Sequence, residues 1–112
     1  MIGRSMTFTA QAGRGGELAA LLRRVAESLR GFPGCEVYLI TQEAAEPDRV
    51  GVFEVWQDEE SAQAALTAAP QGGDDGGSGA PKPAEVMALL AQAPERVDLT
   101  VVGGMGLRPT AG

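Results

Sequence analysis

Two carboxyl- and phenol-bearing side chains in the middle of this chain could do acid–base work, with aromatic rings beside them. The run Val52-Phe53-Glu54-Val55-Trp56 sets a carboxylate and an indole two positions apart, and on a strand that spacing puts both on one face. Among apolar neighbours, desolvation disfavours the anion of Glu54, which suits a general acid or base. Tyr38 offers a phenolic O–H to a substrate oxygen. Trp56 can stack on a flat ring, and Phe53 adds a second aromatic surface. Glu54 and Tyr38 are therefore the candidate catalytic residues, and Trp56 and Phe53 the candidate substrate-binding residues. Each residue type also has a purely structural use. A strand Glu pairs with an Arg, a Trp anchors packing while its N–H finds an acceptor, and a Tyr packs its ring and wets its hydroxyl.

Composition narrows the remaining chemistry. The chain has 112 residues, a net charge of −6, no histidine, no asparagine and one cysteine. Zinc sites draw their ligands from several Cys and His, and nucleophile triads need a histidine base, so neither is expected. Cys35 has no partner for an internal disulfide and reads as a small buried hydrophobe. Nucleic-acid binding needs clustered Lys and Arg, and an acidic chain without a basic patch does not provide them. No apolar run approaches the roughly 18–20 residues of a membrane span, and the first residues lack the apolar stretch of a signal peptide. The expectation is a cytoplasmic protein with no nucleic-acid or membrane partner. Gly13-x-Gly15-Gly16 follows a strand pattern and precedes a helix pattern, but Leu18 stands where a dinucleotide fingerprint needs its third glycine, so it reads as a turn.

The elements that must position these residues follow from periodicity. Alternation over residues 5–11 predicts a strand. Leu18, Leu21, Leu22, Val25 and Leu29 form one apolar stripe, which predicts a helix over about 16–30. Residues 35–42 and 49–56 read as strands joined by a short turn, hence an antiparallel hairpin. Asp58 is a suitable N-cap for a helix ending at Pro70, with Ala62, Ala65, Leu66 and Ala69 on its apolar face. A third helix is expected from about Pro83, with Val86, Leu89, Leu90 and Ala93 inward, ending at Pro94. Residues 96–102 complete the strands. Residues 71–79 are Gly-rich and without apolar side chains, so a mobile loop is expected over 71–80, and an irregular tail over 103–112. The reading is one domain over 1–112 with its core at about 5–102.

The order β-α-β-β-α-(α)-β predicts an α+β, ferredoxin-like fold with an antiparallel sheet. Apolar residues occupy both strand parities: Tyr38, Ile40, Phe53, Val55 and Val102 on one, and Val37, Leu39, Val50, Val52, Val97 and Leu99 on the other. Helices on one side cannot cover both faces, so a homodimer packed sheet to sheet is expected.

Residues 52–62, with Glu-x-Trp running into the acidic helix start Asp58-Glu59-Glu60, resemble the strand-to-helix signature of the antibiotic biosynthesis monooxygenase (ABM) family. Phe32-Pro33-Gly34-Cys35 followed by Tyr38 resembles that family's turn into its second strand, and Glu17-Leu18-xx-Leu21-Leu22 its first helix. The resemblance extends over about residues 5–102. It implies a dimeric α+β barrel with a pocket between sheet and helices. It also implies a cofactor-independent monooxygenase that oxidises a small aromatic or polyphenolic substrate, quinol- or anthrone-like, with O2. Alternatives on the same fold are a non-catalytic dimeric ligand-binding module and a small-molecule isomerase. The haem-degrading branch of the family uses an Asn, a Trp and an axial His, of which only Trp56 has a counterpart here. Ala64-Ala65-Leu66 stands where the family commonly has Ala-His.

Overall fold

The computed structural model describes residues 1–71 and 83–106, except for the side chains of 66–71. The expected loop over 71–80 and the end of the tail lie almost wholly outside the described residues, as do the side chains of Leu66 and Ala69. The elements are β1 (Ile2–Thr9), α1 (Gly15–Ser28), β2 (Cys35–Gln42), β3 (Arg49–Trp56), α2 (Glu59–Gln71), α3 (Pro83–Met87) and β4 (Glu95–Thr100). They form a four-stranded sheet in the order β2-β3-β1-β4, with every neighbouring pair antiparallel. This is the expected α+β, ferredoxin-like arrangement, with β1 and β3 central and β4 at an edge beside β1.

Side chains of β1 and β3 that alternate inward meet the apolar stripe of α1. Phe8, Ala10, Val50 and Val52 pack against Leu18, Ala19 and Leu22, with Val86 and Leu89 closing one end. A second cluster joins Trp56 of β3 to Leu29 after α1 and to Ala62 and Ala65 of α2. Alanine at these α2 positions lets the helix backbone approach the indole closely. Asp58 caps α2 as expected, its Oδ1 accepting the Ser61 N–H at 2.8 Å, which satisfies one of the free donors of the first turn.

One contact ties the hairpin turn to α1. Asp48 accepts the N–H groups of Gly13 and Gly15 at 3.0 and 2.9 Å, and any Cβ on Gly15 would run into the Pro47 carbonyl oxygen. Glycine is required there because two backbones cross in contact.

Three expectations need correction. The first strand begins at Ile2 rather than residue 5, because Ile2, Gly3 and Arg4 find partners on both sides, in β3 and β4. The third helix stops at Met87 instead of reaching Pro94. Backbone groups just beyond it bond to the end of β1: Gln11 N–H donates to the Leu89 carbonyl and Ala91 N–H to the Thr9 carbonyl, both at 2.8 Å. The face assignment also changes. A bulge between Cys35 and Val37 moves Cys35 to the face of Tyr38 and Ile40. The register then sets Tyr38 and Ile40 beside Glu54 and Val52, on the helix side. Phe53 and Val55 share the other face with Val37, Leu39, Val97 and Leu99. Both faces are apolar, as expected, but the two sets are divided differently.

The face turned away from the helices is open. Leu39, Phe53, Val97 and Leu99 are all exposed. On the same face, over Gly51, lies a depression of about 200 Å³ bordered by Ser5, Thr7, Thr41, Arg49 and Phe53. No helix among the described residues is long and apolar enough to cross a membrane.

Candidate functional site

A single transverse row of the sheet gathers the polar groups of the helix side. The register sets Tyr38 of β2 opposite Glu54 of β3, Glu54 opposite Arg4 of β1, and Arg4 opposite Asp98 of β4. One row over, Cys35, Trp56, Ile2 and Thr100 follow the same course across the four strands. Two-residue alternation in antiparallel strands therefore converts four distant positions into one polar ladder under the helices.

Glu54 is the hub. Its residue is 6% exposed. Its Oε1 accepts the indole N–H of Trp56 at 2.8 Å and lies 3.6 Å from Arg4 Nη1. A buried carboxylate is tolerated only with such compensation, and here one neighbour supplies a proton donor and the other a positive charge. Trp56 is 1% exposed. Its ring stands edge-on to Phe32, with centroids 6.2 Å apart and an interplanar angle of 83°.

Tyr38 is half-buried beside this cluster. Burial, and then the charge of Glu54, push its phenol well above the ordinary tyrosine range, so it stays an O–H donor at neutral pH. Cys35, half-buried rather than buried as expected, is raised in the same sense, by burial and then by Glu54 and Glu36, and so remains a thiol.

Arg4 is the residue that the periodicity reading missed. It is 5% exposed. Besides Glu54 it has Asp98, whose Oδ1 is 3.8 Å from Arg4 Nε, too far for a hydrogen bond. Asp98 instead accepts from Arg96 Nε at 2.9 Å. Arg4 Nε is buried with no hydrogen-bond partner among the described residues. The signal was present as the alternation Ile2-x-Arg4-x-Met6-x-Phe8, had the strand been carried to the N-terminus.

The row grades from covered to open. Tyr38 and Glu54 lie beneath α1 and α2 alongside the Trp56 cluster, whereas every residue of β4 is exposed. Of the four expected site residues, Glu54, Tyr38 and Trp56 come together on the helix side. Phe53 does not join them, since it points from the other face. Among the described residues no group of three His, Cys, Asp or Glu side chains is arranged to hold a metal ion.

The model of the antibiotic biosynthesis monooxygenase family matches residues 1–71. A candidate antibiotic biosynthesis monooxygenase from Chloroflexus aurantiacus is 29% identical and superposes with a TM-score of 0.74, over 96% of this chain and 98% of its own. Another, from Caulobacter crescentus, is 24% identical with a TM-score of 0.69, over 91% and 90%. A variant of SnoaB, a cofactor-independent oxygenase from Streptomyces nogalater, is 18% identical with a TM-score of 0.70, over 93% and 95%. The last two speak to the fold alone. No curated protein sequence matches the chain.

Proposed function

The chain belongs to the antibiotic biosynthesis monooxygenase family, and on that premise we propose that it is a cofactor-independent monooxygenase that oxidises a small aromatic or polyphenolic substrate, quinol- or anthrone-like, with O2. The observation that carries this reading is the buried Glu54 carboxylate, held by Trp56 at 2.8 Å and by Arg4 at 3.6 Å with the Tyr38 phenol beside it.

An anthrone-type methylene is acidic because its carbanion is delocalised into the ring ketone. Glu54 takes the proton, and Tyr38 donates a hydrogen bond to the oxygen on which the negative charge gathers. The resulting anion is electron-rich enough to pass one electron to O2 directly. Superoxide and the substrate radical then combine, forming a C–O bond and a hydroperoxide after protonation. Loss of water from that hydroperoxide leaves the carbonyl, so one oxygen atom enters the product and the other leaves as water. The helix-covered end of the site keeps bulk water from the anion.

Trp56 is enclosed by the second core cluster, so in this reading it orients Glu54 rather than offering a free ring face. Phe53, with Leu39, Val97 and Leu99, is assigned to the interface with a second copy of the chain, which would close two open sheets into a dimeric barrel. The same cluster without turnover would make a dimeric ligand-binding module, a reading that the pairing of Glu54 with Arg4 favours.

The test is O2 consumption with a panel of anthrones and hydroquinones, wild type against Glu54→Gln. Uptake above the buffer blank, reduced in the variant, supports the oxygenase. Ligand binding without uptake supports the binding module, and turnover that persists without O2 supports an isomerase.

A further inference from the structure

Arg4 has more binding capacity than the fold uses. Its guanidinium is buried at the junction of the covered and open parts of the row, yet both carboxylates near it stand beyond hydrogen-bond range, at 3.6 and 3.8 Å. Nε makes no hydrogen bond to a described residue. A buried donor left unpaired is costly, and the cost is greater for a charged group. In the structure Glu54 Oε1 accepts from Trp56 and Asp98 Oδ1 from Arg96, and neither carboxylate closes to hydrogen-bond distance of Arg4.

Resting on the reading of this face as the substrate site, we infer that Arg4 is the anion-receiving residue of the site and that the ligand is an aromatic acid, entering over β4 and presenting its carboxylate to the guanidinium. A planar carboxylate matches the fork of N–H groups that Arg presents, and such charge-assisted pairs are short and strong. Every residue of β4, Asp98 included, is exposed, so a ligand can reach the edge of the sheet beside Arg4. Asp98 stands at that approach with its negative charge 3.8 Å from the receiving group, so it opposes the incoming acid and selects for ligands able to displace its influence.

The experiment is isothermal titration calorimetry under argon, with benzoate, 1-naphthoate and 3-hydroxy-2-naphthoate, each against its neutral methyl ester. At least one acid should bind more tightly than its ester by about tenfold or more, the worth of one charge-assisted hydrogen bond. Asp98→Asn, at an exposed position, should tighten the acid and leave the ester unchanged. The double variant Arg4→Met/Glu54→Gln removes both buried charges together, so its fold does not carry a lone ion; it should erase the preference for the acid. Esters binding as well as acids, an Asp98→Asn variant with unchanged acid affinity, or no binding of any acid at millimolar concentration would each overturn the inference. Acid-selective binding under argon, with no O2 uptake by any substrate in air, would leave it standing and remove the oxygenase reading. Uptake with neutral substrates and no acid preference would do the reverse.

Discussion

The indole N–H of Trp56 donates to the Glu54 carboxylate at 2.8 Å, so two residues separated by one position on β3 act as a unit on the helix side of the sheet. Trp56 also anchors the second core cluster. The carboxylate is thereby fixed by the packing of α2 and by the residues that follow α1.

Removing the indole donor should loosen that unit. Trp56→Phe keeps a ring in the cluster but removes that donor and leaves Glu54 with the Arg4 charge at 3.6 Å. Chemical denaturation should register a loss of about 2–3 kcal/mol, combining a lost hydrogen bond to a charged group with a partial cavity. Stability equal to wild type would mean that the bond contributes nothing.

Arg4 and Glu54 should be coupled. Among the described residues, Glu54→Gln alone leaves the buried Arg4 guanidinium with the exposed Asp98 as its remaining ion-pair partner, and breaking a buried pair costs about 3–5 kcal/mol. The Arg4→Met/Glu54→Gln pair should cost less than the sum of the two single changes. A double-mutant cycle in urea reads the difference directly, and additive costs would argue against an interaction across 3.6 Å.

Gly15 should not tolerate a side chain. Gly15→Ala drives a methyl group into the Pro47 carbonyl and separates the hairpin turn from α1. A loss of about 1–3 kcal/mol is expected, whereas Gly16→Ala, with open space around it, should be neutral or stabilising. Equal effects at the two positions would contradict the close crossing.

The helix cap gives a pH dependence with a defined sign. Asp58 is lowered by the Ser61 backbone N–H and then by the Ser61 side chain. Its folded value lies below its unfolded value, so its contribution is present in full above the unfolded carboxylate range. That contribution is lost as pH falls through the folded value. Asp58→Asn should keep the cap and flatten this part of the acid profile, and Asp58→Ala should lower the thermal midpoint at neutral pH. An acid limb unchanged in the Asn variant would show that Asp58 is not its source.

The open sheet face should bind its own copy. Wild type is expected to run as a dimer in light scattering at micromolar concentration. Phe53→Lys with Leu39→Lys should give a folded monomer, because both side chains are exposed in the single chain. A wild-type monomer would leave that face without an occupant.

Much of this was legible in the sequence. The β2 and β3 boundaries agree with the alternation, and the α1 stripe and the Asp58 cap follow from side chains acting on their own local backbone. What escaped depends on partners far away in the chain. The bulge at Cys35/Val37 reverses a parity that no single strand reveals, and with it the division of Tyr38 and Phe53 between faces. The early stop of α3 arises because the end of β1 takes the backbone groups of Leu89 and Ala91. Arg4 looked like a charged N-terminal residue until the register set it between Glu54 and Asp98. The Glu54–Trp56 pairing followed from spacing alone, but not that one would hydrogen-bond the other.

The most direct measurement is O2 consumption by the pure protein with an anthrone, comparing wild type with Glu54→Gln at matched folded concentration. A rate above the uncatalysed blank that falls by about 100-fold or more in the variant, the scale of a lost general base, is the predicted result. A wild-type rate equal to the blank, or a variant as fast as wild type, would contradict the assignment of Glu54 as the base of an oxygenase.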